Sequence, residues 1–362
     1  MNEQETRIRL NELGFDDWFA ARLDGTLAGT HSLARVSAVD RGAYLMVNEA
    51  GSLTAELAGK FRFNAGSPAD LPCVGDWAYV QYHNQGTLAV IHGVLPRRTF
   101  LRRKSAGRDV DFQMIAANID TAFIVQSCHY DFNLHRLDRY LVMANEGHIE
   151  PVLILTKTDL VSPEELEKTV AAIRRAGITA GILALSNATG AGLDEFRRLM
   201  APGRTYCLLG SSGVGKTTLI NRLLGREAFA TRATSHHTGE GTHATSRRQL
   251  IVLEQGALLV DTPGMRELGI LGADAGLDDS FAEILDLSRG CRFADCSHSG
   301  EPGCAVRAAI EGGGLDADRY ASYVKLKKES EHHEMSFVEK RKKDRDFGKF
   351  IKTAKKQLKG RK

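Results

Sequence analysis

Apolar residues follow two rhythms along this chain. From His31 to about Arg103 they come in short runs, among them Ala34–Val39, Ala43–Val47, Trp77–Tyr82 and Thr87–Ile91, separated by Gly, Asp, Asn and Pro. That pattern predicts some five short strands in ~70 residues, enough to close a small barrel. From Ile119 onward apolar runs alternate with stretches of helical spacing. Strands are predicted over Thr121–Val125, Pro151–Leu155, Thr179–Leu185 and Thr205–Leu209. Helices are predicted over Leu134–Glu146, Pro163–Ala176, Leu193–Met200 and Thr218–Leu224, and 249–254 with 257–260 reads as a hairpin. This alternation predicts a mostly parallel sheet with helices on both faces. Before the barrel, Arg9–Phe19 reads as a short amphipathic helix followed by a turn. After Gly312-Gly313-Gly314 the chain reads as helical and charged.

The α/β region carries Gly210-Ser211-Ser212-Gly213-Val214-Gly215-Lys216-Thr217, which fits G-x-x-x-x-G-K-[ST]. A buried strand precedes it, and a helix beginning with Thr218 follows and stops at Gly225. In that setting backbone N–H groups and a helix N-terminus face a phosphate. Lys216 is expected at the β/γ-phosphates and the Thr217 hydroxyl on Mg²⁺. A glycine-rich turn with an ordinary surface lysine is the plainer alternative, and the strand and helix count against it.

Three further segments end predicted strands, where open α/β sheets place ligands. Thr156-Lys157-Thr158-Asp159 resembles the guanine motif N-K-x-D, with Asp159 the expected reader of guanine N1 and N2. Thr156 stands where that motif has Asn, so an amide that steadies the loop is lost. Ser186-Asn187-Ala188 resembles the S-A segment whose backbone approaches guanine O6. Asp261-Thr262-Pro263-Gly264 resembles D-x-x-G, with Asp261 on Mg²⁺ through water and the Gly264 N–H near the γ-phosphate. The base motifs precede the phosphate loop, so the domain is circularly permuted relative to Ras-like GTPases. Met265 occupies the position of their water-orienting glutamine, and a thioether cannot orient water. The polar loop 234–248 holds His236, His237 and His243, any of which is a solvated loop residue or a water-orienting group.

Cysteine and charge add two features. Cys291, Cys296, His298 and Cys304 offer three thiolates and an imidazole within 14 residues, the ligand set of a structural tetrahedral Zn²⁺. Cys73, Cys128 and Cys207 sit in apolar runs and read as small buried hydrophobes. The net charge of +3 hides twelve Lys/Arg and two Asp in residues 340–362, which leaves −7 elsewhere. Such an end attracts phosphate-rich surfaces or merely solubilises the chain. Arg97–Lys104 reads as an exposed basic edge with Phe100 interleaved, as on nucleic-acid surfaces; a barrel used as a spacer with a solvated linker is the alternative. No apolar run approaches the ~20 residues of a membrane span, and Met1–Arg7 lacks a secretory core, so cytoplasm is expected.

Together these parts resemble the RsgA/YjeQ family, the small ribosomal subunit biogenesis GTPases of bacteria. The resemblance runs from about residue 30 to 325 and includes Val74-Gly75-Asp76-Trp77 and Cys291–His298. It implies an OB-fold barrel on 16S rRNA and GTP hydrolysis to GDP and phosphate stimulated by the 30S subunit, late in its maturation. Gly241-Thr242-His243-Ala244-Thr245-Ser246 matches the family's G-x-H-T-T-T except at Ala244. His243 is then the implied water-orienting catalytic residue beside Lys216 and Gly264, and Thr245 the implied switch ligand to Mg²⁺. The expected division is an extension (1–30), the OB-fold (31–103), the permuted GTPase (104–275), a zinc module (276–325) and a basic tail (326–362). One structural Zn²⁺, Mg²⁺ with GTP, a monomer and no membrane partner complete the expectation. An rRNA-binding assembly factor whose nucleotide is mainly a structural ligand is the alternative.

Overall fold

Two one-turn helices, α1 (Asp17–Ala20) and α2 (Gly25–Ala28), lead into β1 (Ser32–Val39), β2 (Tyr44–Asn48) and β3 (Gly51–Leu57) in this computed structural model. The helix α3 (Gly59–Asn64) precedes β4 (Trp77–His83) and β5 (Leu88–Val94). The strand order is β1-β2-β3-β5-β4, and β4 pairs back onto β1, closing a five-stranded, OB-like barrel. A register shift in β1 between Val36 and Ala38 lets its first half pair with β4 and its second with β2. Val36, Met46, Ala55, Val80 and Ile91 fill the interior. The structure describes residues 10–40, 42–83, 86–104, 112–129, 132–226, 229, 248–261 and 273–334.

Next come β6 (Phe100–Lys104) and β7 (Phe112–Ala117), paired antiparallel outside the barrel. The α/β part follows as β8 (Thr121–Ser127), α4 (Leu134–Glu146), β9 (Glu150–Thr156), α5 (Pro163–Arg175), β10 (Gly181–Ala184) and α6 (Leu193–Arg198). It continues as β11 (Thr205–Leu209), α7 (Lys216–Leu224), β12 (Gln249–Val252) and β13 (Leu258–Asp261). The order is β10-β9-β8-β11-β13-β12, parallel except for β12. The chain lays down β8, β9 and β10 in one direction, then returns to place β11 on the other side of β8. That reversal is a topological switch point, where a crevice opens at the carboxyl ends of the strands. β12 also meets β1 at Gln249 and Ala38, so barrel and α/β sheet are continuous.

Four helices complete the described chain: α8 (Asp274–Ser280), α9 (Ala282–Ser288), α10 (Ala305–Glu311) and α11 (Ala317–Glu334). No helix is long and apolar enough to cross a membrane among the described residues. The basic residues 340–362 lie outside them.

Two sequence expectations need correction. Arg97–Lys104 is not an open cationic edge, because carboxylates distant in sequence reach its arginines. Arg97 grips Asp76 through two bonds of 2.8 and 2.9 Å and also donates to the Ala69 and Leu71 carbonyls. Arg98 pairs with Asp16 and Asp120, Arg102 with Glu146, and Arg103 donates to Gln113. At the start of the described chain the turn comes first and the helix second. Gly14 at φ 87° turns the chain, Arg35 takes the Leu13 carbonyl at 2.5 Å, and Asp16 caps α1.

Candidate functional site: a phosphate loop and a Cys3His centre

β11 delivers the phosphate loop to the crevice. Thr205–Leu209 is buried throughout, and the chain leaves it at Gly210 with φ 147°. A Cβ there would lie 2.3 Å from the Val125 carbonyl oxygen, so only glycine lets the loop pass this close to β8. Residues 210–215 arch over to α7, whose first turn carries Lys216, Thr217 and Thr218. The Lys216 Nζ folds back on the loop, donating to Gly210 O at 2.7 Å and Ser211 O at 2.6 Å. Burial pushes this ammonium down to about 8, against the pull of Asp261. At the end of β13, burial pushes the Asp261 carboxyl up to about 6, against the pull of Lys216. Each group disfavours its own charge here. A ligand carrying both signs, phosphates with a divalent cation, would stabilise both, so the donor set fits such a ligand.

The other two predicted segments converge on the same loop. Thr156 is fully buried, and its Oγ1 donates to Val214 O at 2.6 Å, with Gln126 O at 3.2 Å. The hydroxyl thus provides the tie that the sequence reading took to be lost with the Asn. Lys157 turns in the left-handed region at φ 58°, and Thr158 N–H donates to Leu185 O. Ser186 Oγ donates to Asp159 Oδ1 at 2.5 Å and accepts from the N–H groups of Ala188 and Thr189. Asn187 Nδ2 donates to Gly215 O at 3.1 Å. Three loops separated in sequence are therefore held as one rim by side chains that sequence reasoning singled out.

The structure adds a residue that reading missed. Arg136, on the first turn of α4, donates from Nη1 to Ser211 Oγ at 2.9 Å. No spacing rule links residues 136 and 211; only the adjacency of β8 and β11 brings them together. His243, Thr245, Gly264 and Met265 lie outside the described residues.

The second site lies between α9 and α10. The ligand atoms of Cys291, Cys296, His298 and Cys304 all fall within 4.8 Å of one another, and the group can hold a metal ion. Cys291 and Cys304 sulfurs are 3.9 Å apart, and each lies 3.4–3.5 Å from His298 Nδ1. A tetrahedral ion with bonds of ~2.3 Å to sulfur and ~2.0 Å to nitrogen requires edges of about 3.8 and 3.5 Å. The donor set therefore fits. Backbone N–H groups support the sulfurs, Ala305 to Cys291 and Arg307 to Cys304, as thiolates need. From α11, Tyr320 OH reaches the His298 carbonyl at 3.3 Å.

Known proteins resemble this chain over most of its length. The RsgA GTPase family model matches residues 94–271. A small ribosomal subunit biogenesis GTPase RsgA of Opitutus terrae is 41% identical over 331 residues, covering 89% of this chain and 90% of the relative. One of Lactiplantibacillus plantarum, RsgA 2, is also 41% identical, covering 91% and 92%. Among solved structures, YjeQ from Thermotoga maritima aligns with a TM-score of 0.61 at 27% identity, covering 81% of this chain and 96% of that one. YloQ, described as a circularly permuted GTPase, gives 0.60 at 25% identity, covering 84% and 96%. With the 156–159 and 186–188 segments ahead of the phosphate loop and its Cys3His group behind, the chain belongs to the RsgA GTPase family.

Proposed function

We propose that this chain is a GTPase that binds the small ribosomal subunit and acts late in its maturation, staying bound with GTP and leaving after hydrolysis. The observation that carries this is the tied rim: Thr156 on Val214, Ser186 on Asp159 and Asn187 on Gly215. It joins a base-reading carboxylate to a phosphate cradle. The relatives' names supply the small subunit as partner. Asp159 accepts from guanine N1 and N2, hydrogens that adenine lacks, and Lys157 packs along the base. The N–H groups of 210–218 take the phosphates, and Lys216 leaves the Gly210 and Ser211 carbonyls for the β/γ-phosphates. Thr217, Asp261 and Thr245 hold Mg²⁺, which neutralises charge on the phosphates when bound. His243 orients the attacking water where Met265 cannot, and the Gly264 N–H faces the γ-phosphate. Zn²⁺ at Cys291, Cys296, His298 and Cys304 is structural, since four protein ligands fill its coordination shell.

The same reading makes the chain a cytoplasmic monomer, with the barrel on 16S rRNA. GTP turnover at fixed salt, alone and with purified small or large subunits, tests it. Stimulation by small subunits only, with no use of ATP, is the expected outcome. Equal, feeble turnover in all three would leave an rRNA-binding assembly factor with a structural nucleotide. Asp261→Asn then separates the two, because only that factor keeps its assembly role without turnover.

A further inference from the structure

The helix α4 touches the phosphate loop on one side and the C-terminal helices on the other. Its start is fixed by a reciprocal amide pair: Asn133 N–H donates to Gln126 Oε1 at 3.0 Å, and Gln126 Nε2 donates to Asn133 O at 3.1 Å. Asn133 also caps the helix by accepting from Arg136 N–H. Because Gln126 is the penultimate residue of β8, the first turn of α4 is anchored beside the strand that Gly210 crosses. From that turn Arg136 holds Ser211 Oγ.

The next residues face away from the loop. Asp138 is buried, with one carboxylate oxygen taking Arg319 Nη1 at 2.5 Å and the other taking Ser322 Oγ at 2.6 Å. Arg139 grips Glu329 through two bonds. Arg319 continues to Glu283 of α9 at 2.8 Å and to the Ser280 carbonyl. The helix that carries it also supplies the Tyr320 hydroxyl to the His298 carbonyl. A continuous set of polar contacts thus runs from the Cys3His loop through α11 and α4 to the first variable residue of the phosphate loop.

We propose that Arg136 is a positioning residue for GTP turnover, and that through it the seating of the C-terminal module on α4 sets the rate. The inference rests on the GTPase reading above. Its physical basis is a division of labour at Ser211. Here Lys216 Nζ holds the Ser211 carbonyl and Arg136 holds the hydroxyl. When phosphates draw Lys216 away, the bond from Arg136 remains and keeps the loop in register with α4. Arg136 also adds a cation beside a site that must accept several negative charges. A hydrogen bond from a charged donor that is oriented by its own helix is strong enough to matter kinetically.

The test is a kinetic cycle on the full chain. Arg136→Ala should lower kcat about tenfold, with a smaller change in KM and an unchanged melting temperature. Arg136→Lys keeps the charge and one donor and should recover part of the loss. Ser211→Ala removes the same bond from the other side, so the double variant should be no slower than Arg136→Ala alone. Glu329→Gln loosens the clamp at its outer end. It should slow turnover severalfold in the parent chain and leave the Arg136→Ala variant unaffected. Equal slowing in both backgrounds would overturn the coupling, and parental kcat in Arg136→Ala would overturn the positioning role. Fluorescent GDP binding to the same preparations separates the two readings. A parent that binds GDP and turns over GTP upholds the GTPase reading whatever Arg136 does, whereas a parent that does neither overturns both.

Discussion

Two of the places where this molecule buries a cation near a carboxylate treat them in opposite ways. Where the barrel meets the α/β part, Arg97 and Asp76 are joined by two bonds, and Arg97 adds two backbone carbonyls. Burial opposes the Arg97 charge, but the bonds from Asp76 outweigh it and its pKa rises. At the phosphate loop, burial wins for both Lys216 and Asp261, and each is pushed toward neutrality. The difference separates a structural pair from a binding pair. The junction satisfies its charges from within the chain, whereas the crevice leaves them to be stabilised by whatever enters.

The largest effect that would break this contrast lies at the junction. Arg97→Ala leaves a fully buried Asp76 without its main partner and should cost about 3 to 5 kcal/mol. Urea unfolding followed by tryptophan fluorescence reads it directly, because Trp77 is fully buried against Phe15 and Phe19. GDP affinity should stay within a factor of about three, because substitution at this distance has no partner in the crevice. Loss of GDP binding at a temperature where the variant remains folded would show that the two regions are not separate.

A smaller effect sharpens the contrast by pH. The Asp261 carboxyl rises from 3.8 to about 6 on folding, so between those values the native state binds the extra proton. Stability conferred by this group is therefore lost as pH rises from about 4 to 6. Lys216 falls from 10.5 to about 8, so the unfolded state holds the extra proton and stability is gained as pH rises from 8 to 10.5. Comparing nucleotide-free chain with Asp261→Asn cancels the other carboxylates. The stability advantage of Asp261→Asn should grow between pH 4 and 6 and then level off. With Mg²⁺ and GDP present that advantage should shrink or reverse. An identical profile for both chains would mean that Asp261 is not desolvated in solution.

The sequence made the crevice more legible than the junction, for a physical reason. A phosphate loop, its flanking strand and helix, and segments at strand ends are local patterns, and residues 205–224 form the predicted strand, loop and helix. The partners of Arg97, Arg98 and Arg102 sit at 76, 120 and 146, so a run of arginines read alone looks solvated. β3 belongs to the barrel but carries Ser52, Thr54 and Glu56 on its exposed side, and so offers no apolar run. β7 takes its place through pairing with β6 and a bridge from Val74 to Ala116, and Arg136 gains a role only once β8 lies beside β11. What escaped the sequence was set by which strands become neighbours.

Thr156 gives the finest test of how the crevice is built. By sequence it is a departure that loosens the base-reading loop. In the structure its hydroxyl reaches Val214 O at 2.6 Å from a fully buried position, tying the 156–159 loop to the phosphate loop. Thr156→Val keeps the shape, removes the donor and leaves the Val214 carbonyl without it. A buried bond of this kind contributes about 1 kcal/mol, so GDP affinity should fall roughly fivefold. On the guanine-reading role proposed for Asp159, the loss should appear mainly as faster GDP release. Thr156→Asn restores an amide at the same place and should bind at least as tightly as the parent. Affinity unchanged in Thr156→Val would assign the tie to Asn187 and Gly215 instead, whose 3.1 Å bond joins the 186–188 loop to the same phosphate loop.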